Sequence, residues 1–506
     1  MLDLGGHRGR GLAKTIDWWL VACWFLMTVI GWANIYASVH SSEPASIFDF
    51  ASRSGKQFVW IMTSVGLAAL ILFVIPPHAY EGLSLLIYGG TILLLIAVIF
   101  LGIEVKGSRS WFAFGPVRLQ PAEISKISTS LMLATVMSQL GYRIGRMRDF
   151  ITTALIILVP MMIIVLQSET GSALVYVGFI FMLYREGLSG WIICLIGMAI
   201  LSFILTLTAS PYVAILVIAG VTSLCIFLYS GRFKWWLLIG VPLIIFFSFL
   251  PTLLDAMAGW IHGADQIAAI KESLEAGEEV ALPFIMRIKA LHVLLGFSAI
   301  SLPLIAFQAF REGNSFTYLG ILAFIGGVLL VFSTNFIFND VLQDHQRKRI
   351  EVLLGMKEDP SGVGYNVNQS KIAIGSGGFF GKGYLKGTQT TYGFVPEQST
   401  DFIFCTIGEE WGFLGAASVI LLYVLLIVRI VKDAERSREA FTRIYGYCVA
   451  CCIFMHLFIN IGMTLGIMPV IGIPLPLVSY GGSSLWAFTI MLFIFIALNR
   501  NENKYY

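Results

Sequence analysis

The sequence predicts an all-α polytopic integral membrane protein, and three observations predict it. The chain is 57% hydrophobic and only 12% charged, against roughly a quarter charged in an ordinary soluble domain. Counting apolar runs against a hydrocarbon core about 30 Å thick gives about fourteen spans. The basic segments HRGRGLAK, YRIGRMRD, SGRFKWW and RIVKDAERSREAFTR then all fall on one side, which the positive-inside bias makes cytoplasmic together with both termini.

The spans fall near 17–38, 57–76, 83–103, 120–140, 150–168, 170–185, 190–209, 211–229, 235–253, 287–310, 316–339, 403–430, 444–465 and 484–499. The first follows a basic stretch as a signal peptide would, but its apolar run is too long and lacks a small-residue cleavage site, so it reads as a retained helix. The formal charge of +3 is too small to suggest a nucleic-acid partner. The seven cysteines all sit in apolar stretches without zinc or disulfide spacing and read as small buried hydrophobes. No nucleotide-binding motif, nucleophilic serine motif or haem or zinc spacing of the histidines is present. The same parity puts three non-apolar loops outside, at roughly 104–119, 340–402 and 464–483.

Each outer loop carries a constellation. The longest is too long for a passive connector. It contains DHQRKRI, DPSGVGY and NQSKIAIGSGGFFGKGYLKGTQTTYGFVPEQSTDF. Its glycines permit tight turns and close approach to a ligand. Arg347, Lys348, Arg349, Lys371, Lys382 and Lys386 make it basic on the outer side, which an anionic ligand such as a lipid-linked phosphate would explain. Glu397 and Asp401 stand at the mouth of the next helix, with Glu409 and Glu410 two turns further in. Asp401 and Glu409 share a helical face and can line one cavity. Asp401 equally suits a helix N-terminal residue answering free N–H groups. Glu409 and Glu410 suit either a polar cavity or a structural pair with a cation.

In KGSRSWFAFGPVRLQPAEISKIS, Glu123 and Lys126 are three apart on one helical face, so they can pair with each other or Lys126 with Asp401. In NIGMTLGIMPVIGIPLPLVSYGGSS, Pro469, Pro474 and Pro476 with several glycines break any continuous helix, which membrane depth tolerates only where backbone is buried in protein or lines a polar cavity. Three such patches on one side suggest a shared site.

These blocks resemble the SEDS family (shape, elongation, division and sporulation). The resemblance rests on GSRSWFAFG with QPAEISK, QSKIAIGSGG with GKG, PEQSTDFIFCTIGEEWGFLG, and PVIGIPLPLVSYGGSS, in order across residues 107–185 and 317–498. DHQRKRI, DPSGVGYNVNQSKIAIGSGG and GKGYLKGTQT look more like elongation members than division members. What the resemblance implies is a peptidoglycan glycosyltransferase polymerising lipid II at the outer face of the bacterial cytoplasmic membrane. A class B penicillin-binding protein and other elongation-machinery membrane proteins are the implied partners. By motif match Asp401 is the catalytic aspartate, a general base for the acceptor 4-hydroxyl. A helix N-terminus would weaken that base, and desolvation, Glu409, Glu410 or a divalent cation is expected to offset this. Magnesium or manganese shared by Asp401 is the expected ion, with no organic cofactor. Arg109, Lys126, Arg347, Lys371 and Lys382 are candidates to stabilise the leaving pyrophosphate, or else contact lipid headgroups. Gln120, Glu123, Gln369, Ser370, Glu397, Glu409, Glu410, Ser479 and Tyr480 complete the expected substrate-binding set.

The chain departs from the family's pattern in places. QSETGSA puts Glu169 where an aspartate is expected, so that position stays outside the catalytic list, and QPAE replaces the usual QPSE. Residues 187–312 do not match the ten-helix core. They hold about four extra helices between an N-terminal core, 1–186, and a C-terminal core, 313–506, that carries the large loop 340–402. Within them ADQIAAIKESLEAGEEV has Ile267, Ile270 and Leu274 at helical spacing and suits either a partner-docking segment on the membrane surface or plain packing. Two other functional classes stay open. A lipid flippase predicts access from both sides, and the lack of an inverted repeat weighs against it. A non-catalytic scaffold would tolerate Asp401→Asn.

Overall fold

The computed structural model describes residues 16–40, 46–105, 108–115, 117–263, 266–270, 289–313, 315–341, 347, 351 and 363–503. Twelve of its helices are long and apolar enough to cross a membrane. The two other expected spans are helices as well. Pro121–Met137 is too polar to join the twelve, and Thr170–Arg185 is too short and passes through a 3₁₀ turn at Tyr176–Gly178. The chain is therefore a multi-pass membrane protein, folded as two compact units, Met1–Ser189 with Glu358–Tyr506, and Gly190–Lys357.

In the first unit, Ala440–Thr464 is 83% buried over its most apolar window and Gly482–Arg500 is 78% buried, whereas Met147–Leu166 and His78–Leu101 are each 22%. The first two therefore form the centre and the others present most of their surface to lipid. Pro121–Met137 belongs to the centre too. Pro121 occupies its first position, where a missing N–H costs nothing. Most of its buried hydroxyls are satisfied: Ser125 Oγ donates to the Ala122 carbonyl (2.8 Å) and Ser130 Oγ to the Lys126 carbonyl (2.7 Å). Ser125 and Ser128 also pair with Tyr176 (2.6 Å) and Thr91 (2.6 Å) on neighbouring helices, while Thr129 Oγ1 is buried without a partner among the described residues. A helix this polar can sit inside a bilayer because its serines have protein partners.

The outer loop near 104–119, expected to be non-apolar connection, is a three-stranded antiparallel sheet: β1 (Ile103–Val105), β2 (Ser108–Phe114) and β3 (Val117–Leu119) in that order. Glu104 stands opposite Arg109 and Phe112 opposite Leu119. SRSWFAF carries the aromatic content that suits a pleated strand, and Gly115 at φ 61° turns the chain into β3.

The second unit holds Gly190–Thr208, Pro211–Tyr229, Val241–His262, Ala290–Glu312 and Ser315–Phe336. Ala214, Ile215, Ile218, Phe247, Leu250, Leu294, Phe324 and Val331 are its core. Gly320 and Gly327 let Ser315–Phe336 approach Pro211–Tyr229 closely, since an added Cβ would meet Ile226 at 2.6 Å and Ile218 at 2.9 Å. Phe316 stacks on Tyr229 with centroids 3.8 Å apart. This packing places residues 315–336 with the inserted helices, where the sequence division had put them with the C-terminal core; the unit runs from Gly190 to Lys357 rather than 187 to 312. Of the cysteines, Cys194 is exposed and Cys225 and Cys451 are half-buried, so they are not uniformly interior. Ile267 and Ile270 lie in a described helical turn and Ile267 is buried; the rest of that amphipathic segment, with Leu274, lies outside the described residues, as do Lys348 and Arg349.

Candidate active site

Three constellations stand at one end of the first unit. The first surrounds Asp401. Glu397, at φ 54°, turns the chain so that Thr400 N and Phe402 N both donate to its carbonyl, at 3.1 and 3.2 Å. The helix Ile403–Arg436 then begins with Phe402 as its N-cap and no side-chain cap, so Asp401 lies one residue before the capping position. Its peptide segment is pinned at consecutive points. Ser479 Oγ donates to the Thr400 carbonyl (2.6 Å), Tyr480 N to the Ser399 carbonyl (2.9 Å), and Asn460 Nδ2 to the Asp401 carbonyl (2.8 Å). Asn460 Nδ2 also reaches the Ile473 carbonyl (2.7 Å), and Arg53 donates to Ser399 Oγ (2.7 Å). The carboxylate faces Gly472, where an added Cβ would stand 3.3 Å from Oδ2. Gly466 and Gly472, at φ 72° and 75°, shape the irregular segment between Ala440–Thr464 and Gly482–Asn503.

On the neighbouring helix Val363–Ser376, which also carries Gln369, Ser370 Oγ donates to the Thr464 carbonyl (2.6 Å) and contacts Cys405 Sγ (2.9 Å). It thus ties three helix ends together. Lys371 lies across Gly466, whose added Cβ would meet its Nζ at 2.7 Å.

The second constellation is a buried polar chain at the start of Pro121–Met137. Lys126 Nζ pairs with Glu123 Oε1 at 2.7 Å, both residues no more than 2% exposed. The same ammonium meets His456 Nε2 at 2.7 Å, and His456 Nδ1 meets the Pro474 carbonyl at 3.1 Å. An ammonium only donates, so Nε2 accepts and the imidazole proton sits on Nδ1, donating to Pro474. Phe488 closes the group, 5.2 Å from the Lys126 ammonium and 4.8 Å from the imidazole. At the helix's N-cap, Gln120 Nε2 donates to Glu169 Oε1, which Ser172 Oγ also reaches at 3.4 Å. Burial pushes the Glu169 carboxyl up to about 7, with Ser110 and Lys126 pulling against it and Glu123 adding to it.

The third constellation concerns the glycine-rich run. Ile403–Arg436 is broken at Gly412, at φ 64° and ψ −160°. The glycine-rich turn beside it takes up the freed groups: Lys382 N and Gly383 N donate to the Glu409 and Glu410 carbonyls, both at 3.0 Å, while Phe413 N and Leu414 N donate to the Gly378 and Phe379 carbonyls at 2.9 and 3.2 Å. Added Cβ atoms at Gly377 and Gly381 would stand 2.0 and 2.1 Å from helix carbonyl oxygens. These glycines therefore serve close approach to a broken helix, where the sequence reading assigned them to a ligand. Glu409 anchors the same loop: it takes Lys382 Nζ (2.7 Å), Gln389 N (2.8 Å), Thr390 N (2.8 Å) and Thr390 Oγ1 (2.7 Å). Glu410 is buried beside it with Oε2 unpartnered among the described residues.

The structure thus brings Asp401, Ser370, Lys371, Ser479 and Tyr480 around one irregular segment, and joins Glu123 and Lys126 to it through His456, with Gln120 held instead by Glu169. Glu397 is exposed at the turn and receives Thr400 Oγ1 at 3.1 Å. Arg109 pairs with Glu104 across the exposed sheet at 3.4 Å. Arg347 belongs to the second unit, paired with Glu351 at 3.1 Å. Asn460, His456, Arg53 and Glu169 are site residues that sequence reasoning did not select. His456 and Asn460 had a visible signal, two polar residues four apart inside an apolar helix.

The fold and site define a multi-pass membrane protein with a polar centre built at one membrane face around a pinned aspartate. A family model described as cell cycle protein, FtsW/RodA/SpoVE, matches residues 17–224 and 280–504. The chain belongs to this family, the SEDS proteins, and within it is RodA-like. The peptidoglycan glycosyltransferase RodA of Treponema pallidum is 31% identical over 98% of this chain and 100% of its own length. The peptidoglycan glycosyltransferase MrdB of Escherichia coli K12 is 30% identical over 86% of this chain and 84% of its own. The solved Thermus thermophilus rod shape determining protein RodA superposes with a TM-score of 0.51 at 22% identity, covering 96% of this chain and 97% of that one. A chain of a peptidoglycan synthase complex does so with 0.57 at 22%, covering 96% and 98%. Both are likenesses of fold. The family model leaves 225–279 unmatched, a shorter stretch than the 187–312 set apart from sequence.

Proposed function

We propose that this chain is a peptidoglycan glycosyltransferase that polymerises lipid II for cell-wall elongation, with Asp401 as its general base. The supporting observation is the pinning of residues 399–401 by Tyr480, Ser479 and Asn460, which fixes the aspartate beside Gly472. Asp401 takes the proton from the acceptor sugar's 4-hydroxyl as that oxygen bonds to the anomeric carbon of the donor. The donor's bond to undecaprenyl pyrophosphate breaks, and the α-linked donor becomes a β-linked product. The acceptor is the nucleophile, so no second carboxylate is needed to activate water. Lys126 and Lys382 are each committed to a glutamate at 2.7 Å. Lys371 has no ion-pair partner among the described residues and packs against Gly466 of the irregular segment that Asp401 meets at Gly472, so it is the leading cation for the departing pyrophosphate.

No group of three His, Cys, Asp or Glu suited to a metal occurs among the described residues. A single carboxylate suits magnesium or manganese when substrate phosphate and water complete the shell. Asp401 would hold such an ion, which would supply charge for the leaving pyrophosphate. A class B penicillin-binding protein is the proposed crosslinking partner, with other elongation-machinery membrane proteins, and both termini are placed in the cytoplasm.

The test is glycan polymerisation from purified lipid II by wild type and Asp401→Asn, each copurified with that partner and matched for folding. A loss of about 10²–10⁴-fold is expected. Equal polymer from both would remove Asp401 from the chemistry.

A further inference from the structure

At the opposite end of the first unit, three arginines are matched to acids. Arg429 pairs with Asp17 (2.7 Å) and Asp433 (3.3 Å), Arg443 with Glu186 (2.9 Å), and Arg185 with Glu435 (2.6 Å). Arg500 is buried without such a match. It stands in the last turn of Gly482–Asn503, is 6% exposed, and has Nε and Nη1 buried without a partner among the described residues. Tyr80, in the first turn of His78–Leu101, lies near enough to interact with it electrostatically. The Tyr80 hydroxyl is also buried and also without a partner, on a side chain 6% exposed.

A guanidinium has only donors and cannot shed its charge, so burial without an acceptor is costly. The Tyr80 hydroxyl, within electrostatic range of it, is a further unused donor. The missing component is a negatively charged group rich in oxygen. Water supplies acceptors but no charge. Arg500 ends a helix whose other end, Gly482, follows the Ser479–Tyr480 contacts to the Asp401 segment, so it sits where the opposite leaflet's headgroups lie. The anion at that depth is phosphate.

We propose that Arg500 and Tyr80 form a phosphate-binding site at the membrane face remote from Asp401, one that takes the phosphate of an anionic lipid headgroup or a free phosphate. The site lies outside the glycosyltransferase chemistry and does not depend on it.

The test uses the full chain in phosphate-free maltoside micelles alone, with phosphatidylglycerol added, or with inorganic phosphate added, and reads the thermal unfolding midpoint. In micelles alone, Arg500→Gln is expected to unfold no lower than wild type, because it removes an uncompensated charge. Phosphatidylglycerol is expected to raise the wild-type midpoint and to leave Arg500→Gln unmoved. Tyr80→Phe, which keeps the ring's packing, is expected to respond less than wild type and serves alone if Arg500→Gln does not fold. Inorganic phosphate reproducing the shift identifies the free ion as ligand, and phosphatidylglycerol acting alone identifies the headgroup. Equal shifts in wild type and the variants, or no shift in wild type with either anion, would overturn the site.

Discussion

A buried ammonium decides what its neighbours must be. Lys126 offers three donors and no acceptor, so Glu123 Oε1 accepts and His456 must present a bare Nε2. Lys126→Ala strands Glu123 at 2% exposure, and a loss of about 3–5 kcal/mol in denaturation is expected. His456→Leu leaves the Glu123–Lys126 pair but cuts the link to the Pro474 carbonyl; about 1–3 kcal/mol is expected. A loss for His456→Leu as large as for Lys126→Ala would show that the histidine, not the ion pair, holds this region. Glu169 gives a pH dependence whose sign follows from its environment. Its carboxyl holds a proton up to about 7 in the fold, against an ordinary 4.5. Between those values the folded state binds more protons than the unfolded, so its contribution is fullest below about 4.5 and is lost as pH rises to about 7. Glu169→Gln is expected to remove that slope from the unfolding midpoint measured from pH 5 to 7. The Glu123–Lys126 pair was legible as a three-residue spacing, whereas His456 and Glu169 join it only through tertiary contact, which no local pattern encodes.

Glycine spacing is a statement about backbone approach, and the fold says which backbone. The run from Gly375 to Gly383 reads in the sequence as permitting tight turns and close approach to a ligand, and its hydrogen bonds to the halves of a helix broken at Gly412 make it a clasp. Two neighbouring positions separate the effects. Gly378 has φ 57° and nothing within 4 Å of an added Cβ, whereas Gly381 has φ 81° and a helix carbonyl oxygen at 2.1 Å. Gly378→Ala carries only the left-handed penalty, about 1–2 kcal/mol. Gly381→Ala must also push the loop off Glu410, which detaches the donors that hold the Ile403–Arg436 break. Polymerisation and limited proteolysis of the 379–394 loop are expected to be nearly normal for Gly378→Ala and strongly changed for Gly381→Ala. Similar behaviour of the two would mean the close approach is not needed. The break was unreadable because GEEWGFLGA continues an apolar helix on both sides; only the glycine-rich turn bonded to it makes Gly412 the yielding point.

Across the whole molecule, bilayer thickness made the helices legible and left their grouping obscure. All of the expected spans lie on helices, since about 20 apolar residues admit few other conformations in lipid. Which helices belong together depends on side-chain fit instead, as with Gly320 and Gly327 against Ile226 and Ile218, and hydropathy is blind to fit. The small sheet was hidden for the opposite reason, because three- and seven-residue strands are too short to show a period against the apolar background. The orientation has its own test. Fourteen crossings with both termini on one face require the 141–146 and 437–439 turns, after four and twelve of them, to share that face, and Thr391, after eleven, to lie on the other. In a cysteine-free background, Thr391→Cys is expected to react with a membrane-impermeant maleimide in intact cells, while Arg146→Cys and Ser437→Cys react only after permeabilisation. Labelling of Arg146→Cys from outside would invert the parity, place Asp401 on the cytoplasmic side, and take from it any role on a substrate presented at the outer leaflet.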